Sequence, residues 1–158
     1  MLAAGLAALL SLAAARPAEA LPDIYPPADQ AAADIAAALQ TARAEHRRII
    51  VDFGGNWCTD CHVLDSYMHD TANQPIVDAN FVVVHVNIGH MDRNLDIAQR
   101  YGVPLRKGVP ALAVLDSRGH LIYSQKGGEF EAMRHMQSSD LTQFLARWKP
   151  AVRRTQLR

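Results

Sequence analysis

Short apolar runs alternate along the chain with stretches of helical spacing. Residues 28–46 are alanine-rich, with Ile35 and Leu39 one turn apart and Ala42 next on that face, which predicts an amphipathic helix closed by Arg47 and Arg48. "IIVDF" at 49–53 is apolar and β-branched, the mark of a strand buried on both faces; Asp52 is its anomaly. After the loop "GGNW", residues 58–69 read as a helix with Val63, Leu64, Tyr67 and Met68 inward, and "TANQP" at 71–75 breaks it. "FVVVHVNI" at 81–88 is a second buried strand. Residues 91–102 form a short helix, capped by Asn94 or Asp92 and ended by Gly102. "VPLRK" is a loop and "GVPALAVLD" at 108–116 a third strand. Ser117-Arg118-Gly119 turns a hairpin into "HLIYS" at 120–124. Leu141, Phe144, Leu145 and Trp148 place a last helix at 138–148.

Helices alternate with the first three strands, which predicts parallel pairing among them through right-handed crossovers; the last two strands pair antiparallel. The fold class is α/β: a central mixed four-stranded sheet flanked by helices on both faces.

Composition narrows the picture. With 158 residues, one domain is expected. Sixteen basic and sixteen acidic residues leave a formal net charge of zero, which gives no electrostatic case for nucleic acid or an anionic membrane as partner. Residues 2–15 are apolar apart from Ser11, and Ala18-Glu19-Ala20 offers small residues for cleavage. Residues 1–20 are therefore read as a signal peptide, although no Lys or Arg precedes the apolar run. The mature protein would be exported, to the bacterial periplasm, with no segment left to insert stably in a membrane. The remaining divisions are an irregular, proline-rich lead-in at 21–30, a folded domain at 31–150 and a basic tail at 151–158.

The chemistry lies in "WCTDCH", residues 57–62, which holds the only two cysteines. A bridge between them closes a tiny loop and removes little unfolded-state entropy, so a functional pair is a better reading than a staple. Cys58 opens the predicted helix. Unpaired N–H groups and the positive end of the helix dipole favour its thiolate. Cys61 lies one turn on, within reach, as the resolving thiol of an exchange. Asp52, six residues before Cys58, is costly to bury unpartnered; burial would resist its ionisation and make it a proton acceptor near neutral pH, unless it simply meets water at the strand end. Ile49, Ile50, Val51 and Phe53 around it favour burial.

"VDFGGNWCTDC" resembles the active-site segment of the thioredoxin superfamily, in which a strand carrying Asp leads to Trp-Cys-x-x-Cys at a helix start. "GVPAL" resembles that family's cis-proline segment, and "VNIGH…LDIAQRYGV" the strand and helix between them. The likeness spans about residues 49–148. It implies a thioredoxin-like fold, Cys58 as nucleophile, Cys61 as resolving thiol and Asp52 as buried acid/base. It implies further that Trp57, Val109 and Pro110 bind substrate, with Val109-Pro110 a cis peptide facing the sulfurs and pairing with an extended target peptide. His85 stands where many relatives carry Lys, and either couples to Asp52 or is a satisfied core histidine. The departures are Thr59-Asp60 in place of Gly-Pro, Gly54-Gly55 in place of an aromatic and Ala, His62 in place of Lys, and an extra loop at 104–108. Thr59, Asp60, His62 and His85 are thus candidate tuners: Asp60 would disfavour thiolate, and protonated His62 would do the reverse.

The activity implied is that of a protein-disulfide oxidoreductase, working as a disulfide reductase. It would be a monomer without cofactor or metal, with protein disulfides or dithiols as substrates and an upstream thiol donor. Two rivals use the same residues. Cys58-Thr59-Asp60-Cys61-His62 also fits c-type haem attachment, with His62 axial and His90, Met91, Met133 or Met136 distal. Cys58, Cys61 and His62 could instead hold copper or zinc. Haem gives Asp52 and Val109-Pro110 no role, and no second ligand pair completes a metal site.

Overall fold

The computed structural model describes residues 21–151. The leader expected at 1–20 and residues 152–158 of the tail lie outside them. The strand that the sequence makes most apolar is central: β1 (Arg48–Gly54) has β2 (Phe81–Asn87) on one side and β3 (Ala111–Leu115) on the other, with β4 (Leu121–Ser124) outermost, in the order β2-β1-β3-β4. Alternate residues of β1 enter two cores. Ile49, Val51 and Phe53 pack with Ile35, Ala38 and Ala42 of α1 (Ala31–Glu45) and with Ile97 and Ala98 of α4 (Leu95–Arg100). Ile50 packs on the opposite face with Leu64 and Met68 of α2 (Thr59–Met68) and Leu141 and Leu145 of α5 (Ser138–Trp148). Each fully buried leucine contributes about 1.5–3 kcal/mol. The mixed four-stranded sheet covered by helices on both faces is thus observed.

Three expectations about elements change. β1 and β2 are parallel, but β3 runs antiparallel to β1, with Asp52 opposite Leu112 and Phe53 opposite Ala111. The connection from β2 to β3 stays at one end of the sheet. α4 has six residues, about 9 Å of rise, whereas the seven residues of β2 span about 23 Å. The connection does not carry the chain back along the sheet, so β3 starts from the end at which β2 finished. Second, β2 is an edge strand: Phe81, Val84 and Val86 are buried, while Val82, Val83 and His85 are half-buried. Third, the break at 71–75 runs straight into a helix, α3 (Gln74–Asn80), with its proline in the first turn, where the missing N–H costs nothing.

The ends of the helices shift by smaller amounts. His46, in the left-handed region, ends α1, and Arg48 already belongs to β1. The helix foreseen at 91–102 is regular only over Leu95–Arg100. Among the described residues no helix is long and apolar enough to cross a membrane.

Candidate active site

β1 delivers the site to one end of the sheet. Its last residues lead through Gly55 and Asn56 to Trp57 and Cys58, and Cys58 caps α2, its sulfur accepting the Cys61 N–H at 3.1 Å. Cys58 and Cys61 are joined as a disulfide and both are buried. Because β3 is antiparallel to β1, its start lies at the same end. Val109–Pro110 is cis, and the Val109 carbonyl oxygen is 3.6 Å from the Cys58 sulfur. Trp57 is 46% exposed; its indole N–H donates to the Gly89 carbonyl at 2.6 Å and its ring stacks on His90.

Asp52 is fully buried. Its Oδ2 accepts the Tyr25 hydroxyl at 2.6 Å and His85 Nδ1 at 2.9 Å, while Oδ1 has no partner among the described residues. Register explains the second contact: Asp52 and His85 are directly paired on β1 and β2 and point to the same face. His85 is therefore hydrogen-bonded to Asp52 across the two strands. His85 Nε2 also lies 3.7 Å from Asp65 of α2. Burial pulls the imidazole pKa down, but the hydrogen bond to Asp52 and the charges of Asp52 and Asp65 outweigh it, so His85 titrates above its ordinary range.

The structure places the other candidate tuners as follows. Asp60 is buried and turned to Arg134, whose backbone N–H and Nε both donate to Oδ1, at 2.8 and 3.1 Å. Its charge is therefore partly compensated. His62 Nε2 donates to the Asn56 carbonyl at 2.9 Å, tying the first turn of α2 to the loop before it. That is the nitrogen an axial haem ligand would commonly present. Thr59 opens α2 and is exposed. Among the described residues no three His, Cys, Asp or Glu side chains converge on a point where a metal ion would fit.

Sequence reasoning missed Tyr25 and Asn56. Tyr25 lies in the lead-in and is 3% exposed, packed against Cys58 and Cys61. Asn56 holds it there: its Oδ1 accepts the backbone N–H of Ile24 and of Tyr25, at 2.9 and 2.8 Å, and its Nδ2 donates to the Tyr25 carbonyl at 3.1 Å. Burial, and then the negative charge of Asp52, push the Tyr25 hydroxyl far up, so it stays protonated. The signal was Gly54. A Cβ there would come within 2.4 Å of the Tyr25 hydroxyl and 2.6 Å of the Cys61 sulfur. Glycine is required because the lead-in closes over that spot.

Comparisons with known proteins agree with this geometry. A family model described as thioredoxin-like matches residues 30–117. A thioredoxin from Buchnera aphidicola subsp. Baizongia pistaciae is 30% identical over 66 residues, 42% of this chain and 53% of that protein, so the chain spans about half the length of the curated relative it matches. The structure of a disulphide isomerase from Xylella fastidiosa Temecula1 is similar with a TM-score of 0.76 and 35% identity, covering 81% of this chain and 98% of that one. A thioredoxin from Thermus thermophilus shares the fold with a TM-score of 0.53 and 22% identity, over 71% of this chain and 81% of that one. With more than half of its residues matched and a Cys-x-x-Cys pair at the start of α2, the chain belongs to the thioredoxin-like family.

Proposed function

We propose that the protein works as a disulfide reductase, exchanging disulfides with protein substrates through Cys58 and Cys61. The observation that carries this reading is the cysteine pair capping α2 with the buried Asp52 behind it. Cys58, at the positive end of the helix, attacks the substrate disulfide and forms a mixed disulfide. Cys61 then attacks the Cys58 sulfur and releases the reduced substrate, with Asp52 as the final proton acceptor. An upstream thiol donor restores the dithiol. Trp57 and the Val109 backbone flank the sulfurs, which suits an extended target peptide lying across them. Asp60, between the cysteines, works against a thiolate at Cys58 and so favours a reducing couple.

The site sits on a monomeric domain at 31–150, with the lead-in at 21–30 folded against it. The apolar leader at 1–20 supports export to the bacterial periplasm. The test is reduction of insulin disulfides by the mature chain in the presence of a thiol reductant. Turnover should fall to background in Cys58→Ser, and Cys61→Ser should accumulate mixed disulfides with its substrates. Unchanged turnover in Cys58→Ser would remove the mechanism. The likeness to a disulphide isomerase favours isomerisation as a second reading. Recovery of activity from scrambled ribonuclease, together with the reduction potential of the couple, separates the two.

A further inference from the structure

Family pattern and sequence motif account for Cys58, Cys61 and Asp52, but neither supplies Tyr25. Its hydroxyl hydrogen is committed to Asp52 Oδ2 at 2.6 Å. A hydroxyl has one hydrogen and two lone pairs, so its oxygen remains free to accept from another donor. The Cys61 sulfur lies near it: Tyr25 packs with Cys58 and Cys61, and a Cβ on Gly54 would come within 2.4 Å of the hydroxyl and 2.6 Å of the sulfur. Asn56 grips Ile24 and Tyr25, Asn87 donates to the Pro26 carbonyl at 2.9 Å, and Asn94 donates to the Ala28 carbonyl at 2.8 Å. The phenol is thereby held in place rather than trailing from a loose end.

We propose that the Tyr25 hydroxyl relays the proton between the Cys61 sulfur and the Asp52 carboxylate, so that the N-terminal strap supplies part of the exchange machinery. The inference rests on Cys61 as the resolving thiol. In the resolving step the Cys61 S–H proton moves to the Tyr25 oxygen as the Tyr25 O–H proton moves to Asp52 Oδ2. The Cys61 thiolate attacks the Cys58 sulfur; the Cys58–Cys61 bond forms, the bond to the substrate sulfur breaks, and the substrate leaves as thiolate. The substrate disulfide has taken two electrons from the protein dithiol, Tyr25 is unchanged, and one proton rests on Asp52. It leaves on the His85 side, where two surface hollows reach the imidazole, one beside Pro26 and Asp34 and the other beside Met68 and Gln74. When an outside thiolate opens the disulfide, the relay runs backwards and protonates departing Cys61.

Tyr25→Phe keeps the ring in its packing and removes only the relay oxygen. The test is stopped-flow reduction by dithiothreitol of the disulfide in the full chain, followed by tryptophan fluorescence across neutral to alkaline pH. Near neutral pH the variant should react about tenfold more slowly than the parent, and the gap should close as pH rises and leaving thiolate no longer needs a proton. Tyr25→Phe combined with Asp52→Asn should be no slower than Asp52→Asn alone, because parts of one relay do not add. Equal rates at every pH would overturn the proposal. So would a constant slowing at every pH, or additive effects in the double variant, since these mark Tyr25 as packing alone. Dithiothreitol needs no protein substrate, so a chain that fails to reduce insulin would end the proposed function and leave this test standing.

Discussion

At the scale of single residues, the central feature is a carboxylate in the middle of the most buried strand. Burying an ion without partners costs several kcal/mol, and a hydrogen bond to a charged group returns about 1.5–3 kcal/mol. Asp52 receives two such bonds, from Tyr25 and His85. Replacing it with Asn should slow insulin reduction about ten- to a hundredfold near neutral pH and much less at alkaline pH, where Cys61 ionises unaided; a pH–rate profile decides it. His85 carries a prediction of opposite sign. Its folded pKa is raised above the unfolded value of about 6.5, so its contribution to stability is complete below that value and is lost as pH rises through the folded pKa. Urea unfolding at a series of pH values should show stability falling across that window, by at most about 1.4 kcal/mol per pH unit. His85→Asn should flatten the slope. Asp52 was legible because apolar neighbours announced its burial. The partner it shares with no other motif, Tyr25, was not: the hydrogen bond spans 27 residues and the proline-rich lead-in has no periodicity to read.

At the scale of elements, the lead-in acts as a strap. Asn56 makes three hydrogen bonds to it, and at about 1 kcal/mol each Asn56→Ala should cost about 2–3 kcal/mol, read from the urea midpoint. The same variant frees Tyr25, so reduction by dithiothreitol should slow with it. Gly54→Ala should be at least as disruptive, because its methyl has no room between Tyr25 and Cys61. Strands and long helices were readable from their periodicity. α3 was not, since a seven-residue helix with proline in its first turn reads like a break. Direction of β3 was misread for a related reason. Alternation of strand and helix suggests parallel pairing, but the connection through α4 does not carry the chain back along the sheet. A parallel β3 would also have put Val109-Pro110 at the far end of the sheet from the sulfurs. The proline motif and the parallel reading were incompatible, and the geometry of the connection decides between them.

At the scale of the whole molecule, charges from distant segments are brought together beside the Cys58–Cys61 pair. Arg134, 74 residues from Asp60 in sequence, neutralises part of that carboxylate. Arg134→Ala keeps the backbone hydrogen bond to Asp60 but removes the guanidinium, and should make the couple more reducing, by on the order of 10 mV because the guanidinium is more than half exposed. Equilibration with glutathione or dithiothreitol measures it. The sequence by itself determined the strands and the longer helices, the Cys-x-x-Cys pair at a helix start and the buried acid six residues before it. Each follows from short-range periodicity or from a contiguous motif. The tertiary structure alone decided that β3 reverses, that His85 faces Asp52, that Arg134 answers Asp60 and that Tyr25 closes over Gly54. These depend on which surfaces meet after the chain has folded, and neighbouring residues in sequence do not specify partners that packing brings in from dozens of residues away.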